Sequence, residues 1–132
     1  SPNNSTDDGG DNHFVVRYAD VLLLYAECLN ESNKTAAAAT YLNMVRNRAN
    51  LDDTTASSQS DMRSAIAKER RLELAGEGHR WFDLLRTGKA LETMNAFFQN
   101  DGSKITVEAY RLLSPLPQAE VDITKMEQNP GY

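Results

Sequence analysis

The chain has 132 residues, 40% hydrophobic and 25% charged, which is ordinary for one globular domain able to bury a core. A formal net charge of −5 argues against a nucleic-acid binder, and no apolar run is long enough to cross a bilayer. The single cysteine, Cys28, excludes an intrachain disulfide and a cysteine-based zinc site, but does not decide the compartment.

Residues 1–12 carry Gly, Asn, Asp and Ser and no large apolar side chain, so they read as a disordered leader or linker. A first helix is expected from about Phe14 to Glu31. Its stripe is Phe14, Tyr18, Val21, Leu22, Tyr25 and Leu29, widened by Val15, Ala19, Leu23 and Ala26. So apolar a helix should be contacted on two sides. Ser32–Thr35 breaks it and can cap a second helix, Ala36–Asn50, with a narrow stripe of Ala38, Leu42, Val45 and Ala49. The short connection makes the two antiparallel, a helical hairpin, although no clean internal repeat follows.

Ser58 or Ser60 is a plausible N-cap for a third helix reaching Ala75, ended by Gly76 and Gly78. Met62, Ala65, Ile66 and Leu72 mark its expected buried face, which brings Glu69 and Glu73 onto or beside the core. A short helix, His79–Thr87, should turn Trp81, Phe82 and Leu85 inward. Another, Lys89–Gln99, carries Ala90, Leu91, Met94, Phe97 and Phe98 on one side. Ile105–Val107 reads as a strand or extended segment, and Leu112–Pro117 as extended because proline disfavours helix in the residue before it. Pro117 suits the first position of a last helix, Gln118–Val121. The chain closes on a Pro130–Gly131 turn.

The densest chemistry lies in Ile66–Gly88. Lys68, Arg70, Arg71, Arg80 and Arg86 nearly balance Glu69, Glu73, Glu77 and Asp83. Glu73, Glu77 and His79 do not form the Glu-x-x-His pairs of helical di-iron sites, and two glycines interrupt them. A glycosidase carboxylate pair has the right residue types, but interleaved arginines suit structural pairing better. With only His13 and His79, nucleophilic triads have little to draw on, and Gly76-Glu77-Gly78 opens no phosphate loop. Trp81 is a weak candidate for an aromatic sugar or base platform, since at helical spacing beside Phe82 and Leu85 it is more often core. No catalytic, metal or cofactor-binding residue is assigned. What remains is a structural ion-pair cluster of Glu69, Arg70, Glu73, Glu77, Arg80, Asp83 and Arg86. In it Glu69 and Glu73 would meet Arg80 and Arg86 across the glycine corner, and Asp83 would meet Arg86 at i+3.

These residues carry a resemblance. RYADVLLLYAECLNE (17–31), YLNMVRNRANL (41–51), IAKERRLELAGEGHRWFDLLRTGKALE (66–92), LLSPLPQAEV (112–121) and QNPGY (128–132) resemble the C-terminal region of the SusD/RagB family. The pattern ER..EL..EG.R..DL.R falls on Glu69, Arg70, Glu73, Leu74, Glu77, Gly78, Arg80, Asp83, Leu84 and Arg86. The resemblance covers residues 14–132. It implies an all-α scaffold at 13–132 with a tetratricopeptide-like helical hairpin and an extended, proline-containing C-terminal tail.

By function it implies a non-catalytic nutrient-binding lipoprotein of the bacterial outer membrane, exposed at the cell surface. Such a protein passes oligosaccharides or other nutrients to a TonB-dependent, SusC-like transporter. Family members are several times longer and start with a lipid-bearing cysteine, so this chain looks like their C-terminal segment. Its membrane attachment would run only through a lipid anchor absent from this sequence. No family ligand-binding residue maps onto it. The alternatives are a helical-repeat scaffold for protein–protein interaction and, more distantly, a carboxylate-based glycosidase.

Overall fold

The runs at helical spacing all become helices. The structure is a computed structural model that describes residues 15–132; the leader expected at 1–12 and Phe14 lie outside the described residues. The elements are α1 (Tyr18–Glu31), α2 (Thr35–Arg48), α3 (Gln59–Glu73), α4 (His79–Arg86), α5 (Ala90–Asn100), a 3₁₀ turn (Ala109–Leu112) and α6 (Gln118–Thr124). The described residues contain no strand, so the fold is all-α. The chain divides into two compact units, Ser1–Ala75 and Gly76–Tyr132.

In the first unit α1, α2 and α3 pack on one another. Leu22, Leu23 and Ala26 of α1, Ala38, Leu42 and Val45 of α2, and Met62 and Ile66 of α3 form the core. Ala38, fully buried, lets the α2 backbone come close to its neighbours. The helix ends follow from asparagines that tolerate left-handed backbone. Asn33 (φ 60°) closes α1, with Lys34 N–H bonded to Leu29 O and Asn33 N–H to Asn30 O. Asn50 (φ 58°) closes α2 in the same way, through Leu51 N–H to Arg46 O and Asn50 N–H to Asn47 O. Ser58 caps α3 by accepting from Asp61 N–H, while its hydroxyl donates to the Asp61 carboxylate.

Asn30 ties the three helices at one end. Its buried amide donates to Gln59 O at 2.9 Å and accepts from Thr35 Oγ1 at 2.9 Å; Gln59 Nε2 donates back to Asn30 O at 2.7 Å. A buried asparagine satisfied on both sides fixes the relative register of α1, α2 and α3.

Several expected core positions lie elsewhere. On α1 the buried side runs through Asp20, Leu22, Leu23, Ala26 and Asn30, leaving Tyr18, Val21 and Tyr25 exposed. The apolar run is wider than the face two neighbours can cover. Ala49 and Leu72 are also exposed; the buried side of α3 is Met62, Ile66, Glu69 and Arg70, because the ion pairs described below take the position Leu72 was expected to fill.

In the second unit α4 packs with α5, burying Leu84 and Ala90. Trp81 and Leu85 share the Leu84 side and are half-buried, whereas Phe82, one position round the helix, is 68% exposed rather than inward. Phe97 is likewise exposed, edge-on to Phe98. Gly88 (φ 68°) and Gly102 (φ 75°) close α4 and α5, with Lys89 N–H on Leu84 O and Ser103 N–H on Phe98 O.

The extended segments are held by side-chain amides standing in for a strand partner. Asn95 accepts from Val107 N–H at 2.7 Å and donates to Val107 O at 3.1 Å. Gln128 does the same for Leu116, at 2.7 and 2.9 Å. Asn129 donates to Ser114 O, and the Tyr132 hydroxyl to Leu113 O. Tyr132 also stands edge-on to Tyr110. Gly131 has φ 95°, and a Cβ there would clash with the Tyr110 ring, so the closing Asn-Pro-Gly-Tyr requires glycine. Pro117 (φ −54°, ψ 130°) is the cap of α6 rather than its first residue, and α6 continues past Val121 to Thr124.

Candidate functional site

Asp20 interrupts the apolar run of α1 because it has a cation to meet. Arg70 Nη1 on α3 donates to its Oδ1 at 2.7 Å, with side-chain exposures of 5% and 8%. On α3 the residue before Arg70 and the residue one turn after it repeat the pattern with the signs reversed. Glu69 accepts from Arg46 Nη1 of α2 at 2.8 Å, and Arg46 Nε also donates to Asp52 O. Glu73 accepts from two guanidiniums, Arg17 Nη1 at 2.9 Å and Arg48 Nη2 at 2.6 and 2.8 Å, while Arg17 Nη2 reaches the Glu73 backbone carbonyl.

The chemistry follows from the cost of burying charge. A carboxylate this dry is stable only with its oxygens satisfied, and planar guanidiniums do so with directional bonds. Glu69, Arg70 and Glu73 therefore clasp α3 to α1 and α2. No side-chain nitrogen or oxygen that is buried among the described residues lacks a partner. At the exposed end of the same unit, Arg63 forks onto Glu31 through Nε and Nη2, both at 2.6 Å. The Arg63 hydrogen bond holds the Glu31 carboxyl below its ordinary range, against a smaller opposing desolvation, and Glu31 raises Arg63 in turn.

The residues expected in one cluster thus fall in both units. Glu69, Arg70 and Glu73 join the first-unit clasp, in which they meet Arg46, Asp20, Arg17 and Arg48. In the second unit, Asp83 is buried and accepts from Arg86 Nε at 2.9 Å within α4; Arg80 is half-buried and Glu77 exposed. The sequence reading missed Arg17, Asp20, Arg46 and Arg48. Asp20, a lone acid inside an apolar run, was the signal that could have found the clasp.

Among the described residues no group of three His, Cys, Asp or Glu side chains is arranged to hold a metal ion. No helix among them is long and apolar enough to cross a membrane. Trp81 is half-buried on α4. The first unit also has a concave surface, a cavity of about 400 Å³ where the start of α1 meets the end of α2. Tyr18, Ala19, Leu22, Met44 and Val45 line it, with Arg17 and Arg48 at its edge. Both arginines are already engaged by Glu73, which leaves the lining mainly apolar.

The SusD family model matches residues 1–132. The chain belongs to the SusD family. It is 39% identical to SusD-like protein P25 of Formosa agariphila over 132 residues, covering 92% of this chain and 25% of that protein. SusD-like protein P38 of the same organism is 36% identical, with 92% and 25% covered. Among solved structures, a SusD superfamily protein from Bacteroides vulgatus superposes with a TM-score of 0.78 at 27% identity, covering 89% of this chain and 27% of that one. A SusD homolog from Bacteroides thetaiotaomicron gives 0.76 at 34% identity, with 89% and 26% covered. The chain therefore spans about a quarter of the length of the SusD-family relatives it matches.

Proposed function

We propose that this chain is the carboxy-terminal segment of a SusD-family protein that binds a glycan or oligosaccharide at the bacterial cell surface without chemically changing it. In this reading the whole protein is held at the outer membrane by a lipid on preceding polypeptide and hands its ligand to a TonB-dependent, SusC-like transporter. The observation that carries the proposal is the family match along residues 1–132 by a chain one quarter the length of its relatives.

The clasp supports the non-catalytic part. Glu69 and Glu73 have the residue types of a glycosidase pair, but their oxygens are occupied by arginines that fasten α3 in place. Residues 13–132 act in this account as a supporting domain of the longer protein, with residues 1–12 as the linker into it. Trp81 is the side chain here best suited to stack on a sugar ring.

The test is the DNA immediately upstream. A continuous reading frame opening on a lipoprotein signal, beside a gene for a TonB-dependent transporter, is the expected result. A genuine start codon near Ser1 would contradict the segment reading. A second reading, a helical-repeat scaffold that binds protein, is favoured by one observation, the antiparallel α1–α2 hairpin with its exposed apolar side. Retardation of the 132-residue chain by a partner protein, but of no form of the protein by polysaccharide, would select it.

A further inference from the structure

The cavity where the start of α1 meets the end of α2 joins two chemistries that the helix packing does not use up. Its wall is apolar and includes an aromatic ring and a thioether: Tyr18, Ala19, Leu22, Met44 and Val45. At about 400 Å³ it falls within the usual span of small-molecule sites, roughly 300–1,000 Å³. Tyr18 is 69% exposed and Met44 45%, so that part of the wall is open to solvent.

Charge at the rim is unbalanced. Two guanidiniums, Arg17 and Arg48, share one carboxylate, Glu73, which leaves one positive charge in excess. Arg17 spends both Nη atoms on Glu73, one on the carboxylate and one on the backbone carbonyl. Arg48 spends Nη2 alone, at 2.6 and 2.8 Å. Among the described residues its Nη1 and Nε make no hydrogen bond, and its side chain is 62% exposed. A guanidinium anchored through one nitrogen, with donors left over, is held ready for a second carboxylate.

Shape and charge together name the ligand class. An anion without an apolar body, such as phosphate, makes no use of Leu22 and Val45, and a neutral apolar molecule makes no use of Arg48. A flat ring gains from tyrosine and from the methionine sulfur beyond what an alkyl chain gains. We propose that this cavity binds a small aromatic carboxylate, with its ring against Tyr18 and Met44 and its carboxylate on Arg48. The site is separate from the glycan reading and does not rest on it.

Isothermal titration of hydrocinnamate into the product of the complete reading frame tests this, with hydrocinnamide and octanoate as controls. The expected result is saturable, one-to-one binding of hydrocinnamate. The amide, which lacks the charge, should bind about 10-fold more weakly, and octanoate, which lacks the ring, about 5-fold more weakly. Arg48→Gln should weaken hydrocinnamate about 10-fold and leave the amide's affinity unchanged, a difference that misfolding cannot produce. Met44→Glu, at a half-exposed position, should abolish hydrocinnamate binding without shifting the melting temperature. No binding of hydrocinnamate, equal affinity for its amide, or an affinity untouched by both substitutions would each overturn the proposal. Octanoate binding as tightly as hydrocinnamate would overturn the aromatic class. A failure in this titration leaves the glycan reading standing, because that reading is tested by retardation in polysaccharide gels.

Discussion

Arg70 and Asp20, fifty residues apart, meet at 2.7 Å with both side chains nearly dry, and this pair fastens the last turn of α3 to the first turn of α1. Removing one partner takes a close opposite charge away from a side chain that stays nearly dry. Asp20→Ala is expected to destabilise the protein by about 3–5 kcal/mol in urea unfolding. The double variant Asp20→Leu/Arg70→Met should recover most of that loss, because it removes both charges and keeps the volume. A double variant as unstable as the single one would mean the loss arises from something other than a stranded charge.

Glu73 holds two arginines, so it should matter more than either of them. Glu73→Gln is expected to cost about 3 kcal/mol, whereas Lys89→Ala, which breaks the exposed pair with Glu92, should cost under about 1 kcal/mol. Arg80→Leu should leave Glu69 and Glu73 still paired with Arg46, Arg17 and Arg48. Chemical denaturation of the three variants side by side checks the ranking.

The closing segment should loosen as a unit. Gly131→Ala places a methyl against the Tyr110 ring at a φ that alanine resists, at a cost of about 1–3 kcal/mol. Gln128→Leu removes both bonds to the Leu116 backbone. Either change should raise amide hydrogen exchange at Leu113 and Leu116 while leaving α1–α3 unaffected.

The pH prediction concerns Glu31. Its folded-state pKa lies below the ordinary value of 4.5, so its contribution to stability is present above that value and is lost as pH falls through the folded pKa. Arg63→Ala should return the Glu31 titration, followed by carboxyl NMR, toward 4.5. An unchanged titration would remove the Arg63 fork as the cause.

How legible this was depends on the interaction. Helix ends read well because they are local: Asn33, Asn50, Gly88 and Gly102 each sit where left-handed backbone is needed. The Ser58 cap and the Asp83–Arg86 pair are local too. The partners of Glu69 and Glu73 were not legible, since Arg17, Arg46 and Arg48 are brought to them only by the packing of three helices. Phe82 and Leu72 misled for the opposite reason. Apolar character alone places a side chain on a face, but which face is covered depends on the neighbours present. The amide clamps of Asn95 and Gln128 leave no pattern in the sequence at all, because a single Asn or Gln bonding to distant backbone has no periodicity.

The most direct test of the account is affinity electrophoresis of the full reading-frame product through gels containing starch, xylan or pectin, paired with a reducing-sugar assay on the same polysaccharides. The account predicts retardation by at least one polysaccharide with no release of reducing ends, and unchanged retardation in any Glu73→Gln protein that remains folded. Reducing-sugar release that disappears in folded Glu73→Gln would contradict it, because the clasp would then be a catalytic site.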